Sequence, residues 1–114
     1  MDKIEKYRKV LQDLMLSYTQ YKPSHGQIDS IAVCDTVRDE YLLLAVGWDR
    51  PGRVHDIIVH ARIKNEKIII EWDGIETGVA QDMINAGVAE EDIVFASYSD
   101  YVQGSDSVRD IAVA

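Results

Sequence analysis

Three runs of strand-like sequence, separated only by very short turns, occupy the middle of the chain. Residues 41–48 are almost wholly apolar, and residues 54–63 and 67–72 carry apolar side chains at alternate positions. Alternation with a period of two is typical of a β-strand. The connections at 49–52 and 65–66 are too short for the crossover that parallel strands need. The stretch therefore predicts three consecutive antiparallel strands.

A further strand is predicted ahead of them, at residues 28–37. Its alternation would place Ile31 and Val33 on one face of the sheet and Ala32 and Cys34 on the other. The apolar run at 41–48 is typical of a central strand covered on both faces. Together these runs predict a four-stranded antiparallel meander.

An amphipathic helix is predicted at the start of the chain, within residues 2–21. Asp2 suits its positive N-terminal end, and Pro23 and Gly26 favour its termination. Burying one apolar stripe of this kind is worth on the order of 10 kcal/mol before opposing terms, so the helix is expected to pack on the sheet. The stripe consists of Ile4, Tyr7, Leu11, Leu14, Met15 and Tyr18.

A second, shorter helix is predicted at residues 78–86, with Thr77 as its N-cap and Gly87 in the left-handed position after its end. Residues 93–98 favour a short extended segment, and the tail beyond them has no clear periodicity. The predicted fold is therefore α+β: a long N-terminal helix packed on a four-stranded antiparallel meander, a second short helix and an irregular C-terminal segment. Residues 1–114 are expected to form a single domain.

Charged residues are distributed unevenly along the chain. The formal net charge is −8: residues 1–22 hold five Lys and Arg against three Asp and Glu, and the remainder holds seven against seventeen. Such an acidic surface would repel a phosphate backbone and suits a basic protein partner, or serves only solubility. The single cysteine, the charged N-terminus and the lack of a long apolar run lead us to expect a cytoplasmic protein with no membrane segment.

The third predicted strand carries the residues that most resemble a catalytic cluster. His55 and His60 are five positions apart, so a regular strand would point them to opposite faces and prevent them from sharing a metal ion. Asp56, His60 and Arg62 would share a face. They could perform acid–base chemistry, or simply pair with cross-strand neighbours on an exposed face, and the second interpretation is favoured. Alternation would also align Ile57, Val59, Ala61 and Ile63 on one face.

Other chemical sites are weakly supported. The sequence contains no phosphate-binding loop, dinucleotide fingerprint or nucleophile elbow, so we expect no catalytic residue, cofactor or bound metal. Cys34 is expected to be an inert core residue. Glu71 and Asp73 could hold Mg²⁺ loosely or line a charged sheet edge. Trp48 and Trp72 are expected in the core or at its rim, but would be hot spots for a protein partner if exposed. A second copy of the chain is one way to cover the other sheet face, so a homodimer is an open alternative.

The chain resembles the XisI family. The resemblance spans roughly residues 1–96, and its most specific parts are YKP near residue 21, GWD at 47–49, His60 and DGIETGVA at 73–80. The segment SYSDYVQGSDSVRD departs from the family pattern. The resemblance implies a small α+β controlling factor for excision of the fdxN element during heterocyst differentiation in cyanobacteria, encoded beside an endonuclease-like XisH protein. It implies no catalytic residue.

Our main hypothesis is a regulator that binds a nuclease-like XisH-type partner and contacts DNA only indirectly. The alternative is a DNA-binding accessory factor that uses the basic N-terminal helix, especially Lys6 and Lys9. A third hypothesis is an enzyme that uses Asp56 and His60. The candidate family-motif or partner-contact positions are Trp48, Asp49, Asp56, His60, Arg62, Trp72, Asp73 and Glu76.

Overall fold

A computed structural model of the chain describes residues 2–20 and 27–96. Its strands are numbered in chain order and form one sheet of order β1-β2-β3-β4-β5, in which the first four strands are antiparallel and β5 runs parallel to β4. The elements are α1 (Lys3–Tyr18), β1 (Gln27–Asp35), β2 (Glu40–Asp49), β3 (Gly52–Lys64), β4 (Lys67–Asp73), α2 (Val79–Asn85), a 3-10 turn (Glu90–Asp92) and β5 (Ile93–Phe95).

The helix-on-meander architecture is confirmed, but the predicted four-stranded, purely antiparallel sheet is wrong. The sheet is five-stranded and mixed, because the extended segment that begins at Ile93 pairs with β4 as β5. Helix α2 and the 3-10 turn supply the long crossover that parallel pairing requires. The tail beyond residue 96, which we predicted to be irregular, lies outside the described residues.

Helix α1 is fixed by its cap and by its buried stripe. The Asp2 carboxylate accepts a hydrogen bond from the backbone N–H of Glu5 over 2.8 Å, as expected for an acidic N-cap. The stripe packs across β1, β2 and β3, with Leu11 and Met15 fully buried. Val10 joins the predicted members of this stripe.

One face of the sheet forms the core, and we call it the core face. Ala32 and Cys34 point to it, as predicted, and burial raises the pKa of the Cys34 thiol. Helices α1 and α2 both contribute side chains to this layer. Its buried strand residues are Tyr41, Leu43, Val59, Ala61, Ile63, Ile68 and Ile70.

Helix α2 begins differently from our prediction and ends as predicted. Its N-cap is Gly78 rather than Thr77, and the Asp73 carboxylate instead accepts a hydrogen bond from the N–H of Val79 over 3.0 Å. At its end Gly87 has a φ of +108°, a conformation that glycine adopts with little strain. The N–H of Val88 donates to the carbonyl of Met83, which completes a Schellman motif.

Candidate functional site: the open face of the sheet

The face of the sheet opposite the core face has no described helix packed on it, and we call it the open face. Directly paired residues of neighbouring strands point to the same side, so the register identifies its members. They come from all four long strands. Its members include Asp29, Ile31, Val33 and Asp35 of β1; Glu40, Leu42, Leu44, Val46 and Trp48 of β2; Arg53, His55, Ile57, His60 and Arg62 of β3; and Ile69, Glu71 and Trp72 of β4.

A β-bulge in β3 overturns our prediction for the two histidines. Leu43 pairs with Val59 and Leu44 pairs with Ile57, so Ile58 is an extra residue. The extra residue shifts the alternation of β3 by one. His55 and His60, expected on opposite faces, therefore both lie on the open face, opposite positions of β2 that are four residues and about 13 Å apart.

The same bulge separates Asp56 from His60 and Arg62. Asp56 pairs with Ala45 and therefore lies on the other side of the sheet, where it is exposed. The prediction that Asp56 shares a face with His60 and Arg62 is wrong. The register thus removes the geometry that an Asp56–His60 acid–base pair would need.

His60 and Arg62 instead meet Glu40, which sequence reasoning did not single out. The Glu40 carboxylate lies 2.7 Å from His60 Nε2 and 2.8 Å from Arg62 Nε, and Arg62 also donates to Glu71 over 3.3 Å. Burial lowers the pKa of Arg62, but the hydrogen bonds to the carboxylates of Glu40 and Glu71 have the larger combined effect, so its pKa is raised. Cross-strand pairing, the favoured interpretation, is thus what these residues do. Only the register, which pairs Glu40 with Arg62, could have revealed this cluster.

Both tryptophans are exposed, contrary to our expectation that they lie in the core or at its rim. Trp48 is 59% exposed and Trp72 is 62% exposed. The Arg53 guanidinium lies over the Trp48 ring, 5.5 Å from its centroid, in a cation–π contact. Ile57, between them on the same face, is 47% exposed. The continuous apolar run of β2 was the sequence signal for this face, because it predicted a strand that is covered on both sides.

Three acidic candidates lie at strand ends or in the loop that follows: Asp49 ends β2, Asp73 ends β4, and Glu76 lies between β4 and α2. The Asp49 carboxylate accepts the N–H of Gly52 over 3.2 Å and shapes the β2–β3 turn. Asp73 accepts the N–H groups of Ile75 and Val79, so it organises the entry to α2. Glu76 is exposed in that same loop. With Glu71 paired to Arg62, no cluster of His, Cys, Asp or Glu suited to a metal ion occurs within residues 2–20 and 27–96.

The basic side chains of α1 are largely occupied by acidic neighbours. Arg8 forms two hydrogen bonds to Asp39, at 2.9 and 3.1 Å, which hold the pKa of that carboxyl below its usual range. Lys3 and Lys9 also lie in ion pairs, at 2.8 and 3.1 Å. These cations are therefore less available to a phosphate backbone than the sequence implied. Among the described helices, none has the length and hydropathy to cross a bilayer.

Comparisons with known proteins agree with the resemblance. The family model described as XisI protein matches residues 1–107. The crystal structure of a XisI-like protein from Anabaena variabilis superposes with a TM-score of 0.72 at 27% identity, covering 80% of this chain and 84% of that one. The crystal structure of the fdxN element excision controlling factor XisI from the same organism gives a TM-score of 0.67 at 34% identity, covering 82% and 90%. None of the curated proteins matches the chain. The chain belongs to the XisI family.

Proposed function

We propose that this chain is a non-catalytic controlling factor for excision of the fdxN element, and that it acts by binding a nuclease-like XisH-type protein through the open face. The observation that carries the proposal is the exposure of Trp48 and Trp72 on a sheet face that no described helix covers. Support for the biological role comes from the solved XisI structure, which is named as such a factor.

The chemistry of the open face is that of a protein-binding surface. Its centre is apolar, and its large aromatic side chains are of the type that supplies most binding energy at interfaces. Around this centre lie charged groups that can set the orientation of a partner, including the Glu40–Arg62 pair. Burying one exposed apolar side chain of this size contributes about 1.5–3 kcal/mol before the cost of association.

The net charge of −8 favours a basic partner. A protein that binds DNA must present Lys and Arg to the phosphates, so an acidic regulator is steered towards that surface and can mask it. DNA is then contacted only indirectly. The alternative of direct binding through α1 loses support, because Lys3, Arg8 and Lys9 already face carboxylates of this chain.

The remaining parts of the proposal follow from its non-catalytic nature. The factor needs no cofactor and no metal, and it acts as a single domain in the cytoplasm, where Cys34 stays reduced. A homodimer is the second association that the open face supports. Partner-contact roles are proposed for Trp48, His60, Arg62 and Trp72, and turn-shaping roles for Asp49 and Asp73.

Co-expression with an XisH-type protein tests the proposal. We expect the two to elute together from a sizing column at low salt, and Ile57→Arg to abolish the complex because it places a charge at the centre of the open face. The matched control is Leu16→Arg, a comparably exposed apolar position on α1, which should leave the complex intact. Separate elution of the two wild-type proteins would contradict the proposal.

A further inference from the structure

We infer that the open face is self-complementary, so that two copies of this chain pack face to face about a two-fold axis running along β2 and thereby hide the surface that the partner needs. The inference rests on the proposed function only in its last step, where the partner and the second copy compete. The dimer itself depends only on the register, the charges and the area of the open face.

Cross-strand pairing arranges the open face in rows, each with one residue from β1, one from β2 and one from β3. A two-fold axis that lies between two such faces, parallel to β2, keeps the direction of the strands. It places β1 of one copy opposite β3 of the other, so that each row faces the same row of the second copy. Packed sheets usually cross at an angle of about 30°, which moves the central strands little relative to the strands that they face. Two adjacent central rows are Asp29–Val46–His55 and Ile31–Leu44–Ile57.

Row-by-row superposition brings complementary groups together. Asp29 of one copy faces His55 of the other, and Ile31 faces Ile57, each contact occurring twice by symmetry. None of the hydrogen bonds or ion pairs within the described part of the chain engages the Asp29 or His55 side chain, and both residues are exposed. An acid on one side of β2 and an imidazole on the other is the arrangement that an isologous interface requires.

The outermost row fits the same axis. Asp35 of one copy faces Arg62 of the other. Glu40 lies near the axis, so Glu40 of one copy approaches Glu40 of the other. That approach is tolerable because each Glu40 is already paired with His60 and Arg62 of its own chain. An axis along β3 instead would place Arg62 against Arg62 and His60 against His60. Charge complementarity therefore selects β2.

The size of the open face suits a dimer. Strands about 4.8 Å apart, rising about 3.3 Å per residue, give the open face, formed by β1 to β4, a projected area on the order of 500 Å² per copy before the relief of the side chains is added. A standard stable interface buries about 800 Å² per partner, so the area of the open face is of the right order for a dimer. A matched second copy is the occupant that satisfies the area and the charges together.

Charge introduction at Ile31 and Ile57 tests the predicted pairing. Ile31→Lys alone and Ile57→Asp alone each bury two unpaired charges in the homodimer, and we expect each to weaken dimerisation at least about tenfold. Mixed in equal amounts, the two variants form a heterodimer in which the lysine introduced in one copy faces the aspartate introduced in the other, while the native Ile31 faces the native Ile57. Native mass spectrometry resolves these species, and Asp56→Lys, on the opposite side of β3, is the control that leaves the dimer unchanged.

Each outcome decides the matter. A wild-type chain that sediments at twice 12.9 kDa, together with preferential heterodimer formation by the mixed variants, supports the inference. A chain that stays monomeric at about 100 μM, or a dimer in which the mixed variants do not prefer each other, overturns it. A monomeric chain that still co-elutes with the XisH-type protein leaves the proposed function standing. Binding of the XisH-type protein to an intact dimer would contradict the inference that the partner and the second copy compete for the open face.

Discussion

Tyr7 Oη donates a hydrogen bond to Asp92 Oδ2 over 2.5 Å, across 85 positions of sequence. Lys3 Nζ lies 2.8 Å from the same carboxylate oxygen, and Lys67 Nζ approaches the other oxygen at 3.7 Å. Asp92, only 5% exposed, thus joins the N-terminal turn of α1, the start of β4 and the 3-10 turn ahead of β5. The short parallel strand is held to the rest of the fold at this point.

Replacing Asp92 with Asn is expected to destabilise the protein in a pH-dependent way. Hydrogen bonds from Lys3 and Tyr7 lower the pKa of Asp92 in the folded state. Its contribution is therefore complete above the unfolded value of about 3.9 and is lost as the pH falls through the lower native value. The difference in unfolding free energy between wild type and Asp92→Asn should be clear at pH 7 and should shrink below about pH 4.

Urea unfolding at pH 7, 5 and 3 measures this difference. Asp13→Asn serves as the control, because the Asp13 pair with Lys9 is exposed and such pairs contribute little. A difference for Asp92→Asn that is as large at pH 3 as at pH 7 would contradict the assignment.

Gly47 tests the pairing of β1 with β2. A Cβ at this position would lie 1.9 Å from the carbonyl oxygen of Gln27, so Gly47→Ala must push the strands apart. We expect a loss of about 1–3 kcal/mol of unfolding free energy, as for other overpacking substitutions. Gly52 also has a positive φ, but its Cβ would meet open space. Gly52→Ala therefore isolates the backbone cost in the same denaturation measurement, and equal losses for the two variants would argue against the clash.

Much of this fold could be predicted from patterns among residues that are close in the sequence. The stripe of α1 and the short turns of the meander were predictable because they depend on nearby residues. Asn65 and Glu66 both have positive φ, as a two-residue hairpin turn demands, and Gly87 ends α2 as expected. These features are set by backbone geometry within a few positions of the chain.

Non-local pairing explains the errors. Nothing in the sequence around Ile58 predicts a bulge. That one extra residue nevertheless places His55 on the open face and Asp56 on the face opposite to His60. The pairing of β5 depends on where α2 returns the chain, which a three-residue apolar run does not encode. The exposure of Trp72 depends on which strands and helices surround the end of β4, and the residues adjacent to Trp72 in the sequence do not encode that.

Binding to DNA gives the sharpest test against the alternative function. We expect no salt-sensitive affinity for a fluorescent 30-base-pair duplex at about 50 mM salt, because three of the four cations of α1, Lys3, Arg8 and Lys9, lie close to carboxylates and the net charge is −8. Lys6→Glu combined with Lys9→Glu should then leave the anisotropy unchanged. Tight binding that falls steeply with salt and disappears in this double variant would support direct DNA recognition instead.

Trp72 is expected to matter for binding and not for folding. Its side chain is mostly exposed at the end of β4, so Trp72→Ala removes little packing and should change the unfolding free energy by no more than about 0.5 kcal/mol. An interface hot spot of this type contributes about 2 kcal/mol, so affinity for the XisH-type partner should fall about thirtyfold in a calorimetric titration. Val37→Ala, in the exposed β1–β2 turn and away from the open face, should change neither quantity. Undiminished affinity in Trp72→Ala would mean that the partner binds elsewhere, whereas lost affinity together with lost stability would make Trp72 a structural residue.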